Sequence, residues 1–477
     1  MENQFFDKNI NNHKNLVSIS SLADKYNLRG LKYFDQNDFE SAITCFFQAL
    51  NYDSNYAHAY SNIGNILLQK GDYDEAVNMY KNAIDLDSSN NLYHFNLGVA
   101  LTQLEDTKGA ADAYKESLKL KPKDVKTIRL LGNCYKHLKL YSKASELYRK
   151  WSKLDPSSPM PLFLQAENHI RHGRFNIGWK LYEYGLKDNI RKPIDGYYNE
   201  KKILWDGKSF DGTLLVYGEQ GIGDQINFGT LLTELLQVQR KVCLKVDKRL
   251  VSIFATTFPT IKVFAKEDQI PAETYDKFIA IGSLNKFFRN HTNDFINSKF
   301  NKYEVIIEKE VERIFAHISG FKIGISWHSF SDKTGKRRSL KTEDLAKIIS
   351  VNNINFINIQ YGNVSNQVKK IKLMSGKEIL KIPFVDLTHN ISSVANIINN
   401  CDLIISVDNT TAHLAASLGK PVWLLLPYNA DFRWMEDITM SLWYKNVTLI
   451  RQSNKGSWSY EVDMIYNSLN ESNINSQ

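Results

Sequence analysis

Two polar segments of the chain carry side chains that suit chemistry on a phosphorylated substrate. The first is the run Asp408-Asn409-Thr410-Thr411, which precedes a helical pattern with His413 in its first turn. Polar side chains at a helix start cap the helix, and the backbone N–H groups there attract an anion such as a diphosphate. The run therefore predicts a phosphate site. The alternative is that it only caps the helix and that His413 is a core histidine.

The second segment is a glycine-rich turn that carries a single aspartate at its end. Gly221, Gly223 and Asp224 follow the apolar run 213–217. The glycines fall as GxxGxG, which is neither a Walker A loop nor the GxGxxG dinucleotide fingerprint. The pattern predicts a close backbone approach to a ligand, followed by the carboxylate of Asp224 at the start of a helix. The alternative is a tight turn in which Asp224 caps a helix.

Positive charge follows a third apolar run, at 323–327. The loop after it contains Arg337 and Arg338, and Gln360 ends the next strand candidate. A guanidinium pair facing the helix start after Asp408 would enclose a diphosphate from two sides. Charged runs are more often solvated surface, but this one follows a strand of the same series, which favours binding. An aromatic and charged loop at 431–434 fits a rim, a lid or a packing role.

All of these segments stand at the ends of predicted parallel strands. Apolar, β-branched runs alternate with helical patterns along this part of the chain. That alternation predicts doubly wound sheets, in which ligands bind outside the carboxyl ends of the strands. The strand candidates are 213–217, 242–246, 261–264, 278–281, 323–327, 356–359, 403–407 and 422–426.

The first third of the chain repeats with a period of 34 residues. The repeating positions are a glycine, an alanine and an aromatic residue, which is typical of the tetratricopeptide repeat, or TPR. A weaker fifth unit suits the end of an array. The equivalent residues are Gly30, Gly64, Gly98 and Gly132; Ala42, Ala76, Ala110 and Ala144; Phe46, Tyr80, Tyr114 and Tyr148; and, in the fifth unit, Ala166, Gly178 and Tyr182.

These patterns predict five regions. An N-terminal extension at 1–22 precedes the repeats at 23–186, and a linker at 187–212 leads into two α/β domains at 213–310 and 311–470. The repeats form an α-solenoid, whose concave surface binds protein partners. Candidate groove residues either bind a peptide backbone or are solvated surface: Asn27, Asn62, Asn65, Asn96 and Asn133.

Composition excludes several classes of function. The net charge of +8 on 477 residues attracts an anionic substrate, but the basic residues form no stripe for a nucleic acid. The four cysteines lie far apart and show no zinc spacing, which is typical of free thiols in a reducing compartment. No apolar run approaches the roughly 18 residues of a membrane span. We therefore expect a cytoplasmic protein without a resident metal or cofactor.

Taken in order, the motifs EQGIGDQINF, ISWHS with a later RRSL, IQ at a strand end and SVDNTTAHLAASLGKPVW resemble one known family. They are similar to the bacterial TPR glycosyltransferases, whose catalytic region resembles the lipopolysaccharide heptosyltransferases. The resemblance covers residues 23–452. It implies a GT-B fold, in which two Rossmann-like domains face each other across a cleft. The acceptor would lie against the first domain and a nucleotide-sugar against the second, without a metal.

The resemblance also implies roles for particular residues. Asp224 matches the proposed base, while Asp408, Thr410, Thr411 and His413 fall on the donor-binding segment. Heptosyltransferases commonly have Asp-Thr-Gly in that segment, whereas this chain has Asp-Asn-Thr. A side chain therefore stands where the family has the glycine that lets phosphate approach.

The function implied is transfer of a hexosyl, heptosyl or N-acetylglucosaminyl group to a hydroxyl of a protein or glycan, with inversion. The repeats would recruit the acceptor or a protein partner. One alternative is a TPR scaffold that binds a nucleotide-sugar, or nothing, without turnover. A second alternative is a nucleotide-sugar epimerase with a related two-domain fold.

Overall fold

The computed structural model describes residues 22–187, 190–191, 203–331 and 335–474. The chain divides into two compact units, Met1–Ser157 and Ser158–Gln477. Apart from Leu22, the predicted N-terminal extension lies outside the described residues.

The first unit consists of helices that pack in consecutive pairs. Aspartate side chains at 38 and 106 cap the second helix of their pairs, and the side chain of Asp124 caps the first helix of the fourth pair, as expected for short polar turns. The four predicted repeats are therefore confirmed as helix pairs. The helices are α1 (Leu22–Asp35), α2 (Phe39–Tyr52), α3 (Ala57–Lys70), α4 (Tyr73–Leu86), α5 (Asn91–Gln103), α6 (Thr107–Leu120), α7 (Val125–His137) and α8 (Tyr141–Leu154).

The 34-residue period has a steric cause. In each pair the aromatic ring of the second helix lies on the glycine of the first, where there is no room for a side chain. A Cβ atom would come within 2.5 to 2.8 Å of the ring in the pairs Gly30–Phe46, Gly64–Tyr80, Gly98–Tyr114 and Gly132–Tyr148. Glycine and ring are therefore required together.

The asparagines predicted to line the groove bond within the protein. The Asn62 side chain donates to Asn27 Oδ1 at 2.8 Å, and the Asn96 side chain donates to Asn65 Oδ1 at 3.0 Å. Both bonds join neighbouring helix pairs. Tyrosine hydroxyls provide two further bonds, from Tyr80 to Asn65 and from Tyr148 to Asn133. A role of these residues in peptide binding stays a prediction.

The fifth helix pair belongs to the second unit. Its helices are α9 (Met160–Arg171) and α10 (Phe175–Tyr182), followed by a 3-10 turn at Glu183–Leu186. Their apolar side chains pack in one cluster with two residues of the α/β region: Phe163, Ala166, Ile170, Phe175, Trp179 and Tyr182 with Phe295 and Phe432. The pair is thus built into the core of that unit, although the repeats are predicted to continue to residue 186.

The second unit contains two five-stranded sheets in which all strand pairs are parallel. The first has the order β1-β5-β2-β3-β4 and the second β10-β9-β8-β6-β7. The strands are β1 (Ile203–Leu204), β2 (Leu214–Tyr217), β3 (Val242–Val246), β4 (Lys262–Ala265), β5 (Lys277–Ala280), β6 (Phe321–Ser326), β7 (Ile354–Asn358), β8 (Leu403–Val407), β9 (Val422–Leu426) and β10 (Val447–Arg451). The strand runs in the sequence therefore indicate the sheets correctly.

Helices connect these strands, as parallel pairing requires. They are α11 (Ile222–Gly229), α12 (Leu232–Val238), α13 (Val251–Thr257), α14 (Asn285–Phe288), α15 (Thr292–Ile296), α16 (Lys309–Ala316), α17 (Gly335–Arg338), α18 (Thr342–Ile349), α19 (Ser365–Ser375), α20 (Ile391–Asn399), α21 (Thr410–Ser417) and α22 (Ser459–Ile474). In the described ranges, none of the helices is both long and apolar enough to cross a membrane.

Part of the predicted linker is structural. Strand β1 lies within the segment 187–212 and pairs with β5, and Trp205 is buried in the core between the helices of the first sheet. Ile203 and Leu204 of β1 are exposed and join the sheet through the backbone, whereas the Trp205 side chain anchors the segment in the core. Residues 188–189 and 192–202 lie outside the described residues.

Each sheet has one point at which the strand order reverses. In the first sheet it lies between β2 and β5, and in the second between β6 and β8. Such a reversal opens a crevice at the carboxyl ends of the two strands, where ligands of doubly wound folds bind. We refer to these two places as the first crevice and the second crevice.

Candidate functional site

A buried ion pair fills the first crevice. Glu219, which follows β2, accepts a hydrogen bond from Arg191 Nη2 at 2.5 Å, and both side chains are buried. The same carboxylate accepts the backbone N–H of Gly282, which follows β5, at 3.2 Å. Glu219 is therefore committed to the guanidinium and to the backbone of the neighbouring strand end. This position leaves Asp224 as the candidate base of the glycine loop.

Arg191 extends the network to the end of the fifth helix pair. It pairs with Glu183 at 3.1 Å, and Lys286 pairs with the same carboxylate at 2.9 Å. Burial alone would raise the pKa of Glu183, but the two cations hold it below its ordinary value. The guanidinium also stacks over the Tyr182 ring, 4.2 Å from its centroid. The network fastens α10 to the first crevice.

The strained residue of the glycine loop is Gln220. Its φ of +66° lies in the left-handed region, and its side chain donates to the Tyr182 hydroxyl at 2.7 Å. Gly221 has an extended backbone with φ −81°. Gly223 matters for another reason, since a Cβ atom there would lie 3.1 Å from the His413 ring. Helix α11 of the first sheet thus packs directly on α21 of the second, at the place where the resemblance implies a cleft.

Asp224 lies in the first turn of α11 and has two partners. One carboxylate oxygen accepts the backbone N–H of Gly221 at 3.1 Å, which caps the helix. The other oxygen pairs with Arg433, which comes from the loop after β9 of the second sheet. Asp224 is therefore a helix cap and also one half of an ion pair that joins the two sheets.

Arg433 is a functional candidate that sequence reasoning missed. Its side chain is only 9% exposed and also pairs with Asp431 at 3.3 Å. Burial would raise the pKa of Asp431, but the guanidinium keeps it below its ordinary value. The available signal was the run Asp-Phe-Arg-Trp after a strand of the same βα series as Asp408. Sequence alone does not show that this loop reaches Asp224.

Asp408 holds Arg338 at the second crevice. The carboxylate is 2% exposed, accepts from Trp434 Nε1 at 3.0 Å and lies 3.3 Å from Arg338 Nη1. The backbone carbonyl of Asp408 accepts from the same nitrogen at 3.2 Å. Burial raises the pKa of the Asp408 carboxyl, and Arg338 opposes this effect. Asp408 therefore positions a cation, while a direct contact with a donor stays a prediction.

Asn409 and Gln360 tie the strand ends of the second crevice together. Asn409 Oδ1 caps α21 through the Ala412 N–H at 3.3 Å, and its amide donates to Ser326 Oγ at 2.9 Å. Gln360 Oε1 accepts from the backbone N–H groups of Trp327 at 2.8 Å and of the next residue at 2.7 Å. Asn409 stands where the heptosyltransferases commonly have Thr. Its side chain caps α21 and also joins the end of β8 to Ser326 of β6.

His413 is a buried, neutral residue. Its Nδ1 lies 3.1 Å from the Tyr444 hydroxyl, and its ring stacks on Trp434 with centroids 5.1 Å apart. Burial, with a smaller contribution from Arg433, lowers the pKa of His413 to about 3. A neutral ring supplies no charge to a phosphate. The core interpretation of His413 therefore fits the structure better than the donor-binding one.

The remaining predicted residues line the second crevice with different exposure. Thr411 is buried, Thr410 and Arg338 are partly exposed, and Arg337 on α17 is exposed. Hydroxyl and guanidinium groups thus stay within reach of solvent at this crevice. Within the described ranges, no group of three His, Cys, Asp or Glu side chains is placed to hold a metal ion.

Comparison with known sequences identifies the repeats. A family model described as TPR repeat matches residues 30–71 and 64–105, and one described as Tetratricopeptide repeat matches 93–124. The curated protein FlbA of Caulobacter vibrioides is 26% identical over 337 residues. The match covers 64% of this chain and 54% of FlbA, so the chain spans about half the length of that relative.

Several solved structures are similar to about a third of this chain. YrrB, titled a TPR protein with an unusual peptide-binding site, is 21% identical over 34% of this chain and 84% of its own, with a TM-score of 0.33. MamA is 21% identical over 34% of this chain and 94% of its own, with a TM-score of 0.32. PilF of Pseudomonas aeruginosa is 21% identical over 35% of this chain and 75% of its own, with a TM-score of 0.31.

Proposed function

We propose that this protein is a glycosyltransferase that moves a sugar from a nucleotide-sugar to a hydroxyl of a protein or glycan acceptor. One observation carries the proposal. The carboxyl ends of two parallel sheets bring Asp224 of the first and Arg433 and Arg338 of the second into one charged cluster. A base on one sheet and cations on the other are what transfer from a diphosphate needs.

The reaction would use these groups as follows. The acceptor oxygen attacks the anomeric carbon and forms the new C–O bond, while the bond from that carbon to the diphosphate oxygen breaks. The electron pair of the broken bond leaves with the diphosphate, where charge accumulates. Guanidinium groups and the N–H groups of α21 stabilise this charge. The hydroxyl proton passes to the Asp224 carboxylate.

The repeats support a protein-interaction role, which in this proposal is recruitment of the acceptor or of a partner. Solenoids of this kind present an extended binding surface that grows with each repeat. The acceptor would therefore be a protein, or a glycan carried by one. The donor would bind the second sheet alone.

A non-catalytic scaffold is the competing function, and a specific observation favours it. Asp224 is paired with Arg433, so an acceptor hydroxyl reaches that carboxylate oxygen only after the guanidinium moves away. His413 is also buried, which favours a structural role over a donor contact. Binding of a nucleotide-sugar without turnover is what this alternative predicts.

The first experiment is a thermal-shift screen of the full chain against nucleoside diphosphates and their sugars. A ligand present at 100 times its dissociation constant stabilises the folded state by about 2.7 kcal/mol. Sugar transfer to protein acceptors is then measured with the donor that binds. Donor binding without transfer would support the scaffold, and conversion of donor alone would support an epimerase. If no compound in the screen stabilises the protein, then the glycosyltransferase, the nucleotide-sugar-binding scaffold and the epimerase are all rejected.

The second experiment tests the base. Asp224→Asn keeps the size of the side chain and most of its capping ability, so we expect transfer to fall by roughly 10² to 10⁴ with donor binding retained. Asp211→Asn, a change of a 96% exposed carboxylate in the same domain, is the matched control. Full activity of Asp224→Asn at an unchanged melting temperature would leave Asp224 as a helix cap only.

A further inference from the structure

The charged cluster between the sheets holds more negative than positive side chains. Three carboxylates, Asp224, Asp408 and Asp431, share two guanidinium groups, Arg338 and Arg433. With every group ionised, these five side chains sum to a charge of −1. A diphosphate adds at least two further negative charges. Uptake of a diphosphate is therefore favoured if a guanidinium turns from a carboxylate to the phosphate oxygens.

Arg433 is better placed for such a change than Arg338. Arg338 is held by the carboxylate and the backbone carbonyl of one residue, Asp408. Arg433 instead divides its two Nη atoms between carboxylates on different sheets, Asp224 and Asp431. Loss of one of these partners leaves Arg433 with the other. Its position in the loop is then kept while one nitrogen turns to a ligand.

The side chain of Arg433 also has unused bonding capacity. Its Nε–H has no acceptor in the described part of the chain, although the residue is more than nine-tenths buried. Asn227, one helical turn after Asp224 and fully buried, has an Oδ1 that is likewise without a donor in the described ranges. Buried polar groups without partners are rare in folded proteins. Both residues bond from one sheet to the other, Arg433 to Asp224 and Asn227 to Tyr444, so their unpartnered atoms mark this junction as a position for a polar ligand.

The loop that carries Arg433 is under backbone strain. Met435 has a φ of +56° and Asp437 a φ of +54°, and neither is a glycine. Left-handed conformations of this kind are unfavourable for residues other than glycine and persist where the surroundings enforce them. Arg171 of α9 provides one such restraint through its ion pair with Glu436 at 2.9 Å.

We propose that Arg433 binds the diphosphate of the donor and that donor binding moves this guanidinium from Asp224 to the phosphate oxygens. The inference rests on the proposed function. It assigns Arg433 as the residue that links donor binding to the release of the Asp224 carboxylate. Asp224 would be released to accept a proton only when a donor is present. The reaction would then be ordered, with donor before acceptor.

The exchange makes an unusual prediction about affinity. Asp224 competes with the diphosphate for Arg433, so Asp224→Asn should bind nucleoside diphosphates about five- to tenfold more tightly than the native chain. Arg433→Gln should bind them about ten- to a hundredfold more weakly, because a charge-assisted hydrogen bond is lost. Affinity for the nucleosides should not change in either variant. A residue that only holds the fold together would not give a gain in affinity.

The experiment is calorimetric titration of the full chain with ADP, GDP, UDP and CDP and with the four nucleosides. The variants are Asp224→Asn, Arg433→Gln and the double variant, which removes both members of the pair. Arg289→Gln is the matched control, since Arg289 is 3% exposed and pairs with a single carboxylate, Glu234, at 2.9 Å. We expect it to leave affinity unchanged. The double variant should bind as weakly as Arg433→Gln alone.

The outcomes separate the two proposals. If the native chain binds a nucleoside diphosphate and transfers sugar, but Asp224→Asn binds no more tightly, the exchange is wrong and the proposed function stands. If the native chain binds none of the four, both are wrong. If Arg433→Gln loses its melting transition, the proposal is judged from Asp224→Asn, which keeps Arg433. Tighter nucleoside diphosphate binding by that variant supports the exchange, and unchanged binding rejects it.

Discussion

Both crevices lie where the strand order of a sheet reverses, but side chains of the protein fill the first, whereas the second is open to solvent. The first is closed by the chain itself, through Arg191 and Glu219 and the end of the fifth helix pair. The second keeps Thr410, Arg337 and part of Arg338 in contact with solvent. A reversal of strand order therefore creates a place for a ligand but does not show whether one binds. The side chains that arrive from elsewhere in the chain decide that.

This difference bears on the acceptor. The resemblance implies that the acceptor lies against the first domain, whose crevice is occupied by internal ion pairs. Asp224 belongs to that domain but pairs with Arg433 of the second sheet. We therefore expect an acceptor to reach Asp224 at the junction of the sheets and not through the first crevice.

The largest expected effect comes from removing the helices that close the first crevice. A chain beginning at Ser158 should show one cooperative thermal transition, whereas a chain beginning at Lys187 should show none. The shorter chain lacks Phe163, Phe175 and Trp179 and exposes the side chains that they cover. Burial of each such aromatic side chain contributes roughly 1.5–3 kcal/mol to the free energy of unfolding. Differential scanning calorimetry of both fragments tests this. A cooperative transition in the shorter fragment would show that the fifth pair is not part of the core.

The second test breaks the ion network without removing helices. Arg191→Met leaves Glu219 buried beside no cation, so the free energy of unfolding should fall by about 3–5 kcal/mol. Lys286→Met is the matched control, because Lys286 is partly exposed and should cost about 1 kcal/mol or less. Urea titration measures both. Nucleoside diphosphate affinity should change in neither variant, and a large change would mean that the first crevice also binds a ligand.

The third test compares the two arginines of the second crevice. Arg338→Gln should weaken nucleoside diphosphate binding by about tenfold or more, since Arg338 is only 22% exposed and fixed by Asp408. Arg337→Gln, on the exposed face of α17, should weaken it by no more than about fivefold. Calorimetry in the same buffer gives both values. The reverse order would place the phosphates outside the crevice.

The fourth test concerns the contact between the crevices, where His413 lies. An unfolded histidine takes up a proton near pH 6.5, whereas folded His413 does so only at about pH 3. The unfolded state therefore binds more protons between these values. Stability should fall as the pH drops from about 6.5 toward 3, by up to about 1.4 kcal/mol per pH unit from this residue.

His413→Phe should remove that part of the acid sensitivity, because phenylalanine stacks on Trp434 but takes up no proton. His317→Phe, at an exposed position, is the control and should leave the slope unchanged. Unfolding free energies at pH 7, 6, 5 and 4 give the slopes. Equal slopes in native chain and His413→Phe would show that His413 is accessible to protons in the folded state.

The sequence was most informative where the structure depends on local spacing. The 34-residue period follows from one glycine and one ring, and parallel strands follow from apolar runs between helical patterns. Asp408 was found because it follows a strand directly, and Asp224 because it ends the glycine-rich turn after a strand. The capping interpretation of Asn409 was also within reach, since a helix pattern begins beside it.

The parts that escaped prediction depend on distant pairs. Arg191 and Glu219 are 28 residues apart, and Asp224 and Arg433 are 209 residues apart. No periodicity connects such residues, because their partnership arises only after the sheets are assembled. Burial of His413 was one of two alternatives, and sequence alone could not choose between them for the same reason. Its neighbours Trp434 and Tyr444 follow it in the chain but belong to no repeating pattern.

The fifth helix pair shows how a repeat position acquires a new use. In four pairs the ring lies on a glycine, but here Ala166 carries a methyl group at the glycine position, and the Tyr182 ring lies beneath Arg191. Loss or gain of a whole 34-residue period would leave such an end unit unaltered. We therefore expect the number of repeats to vary among homologous chains, while the helix pair that ends the array stays with the α/β domains.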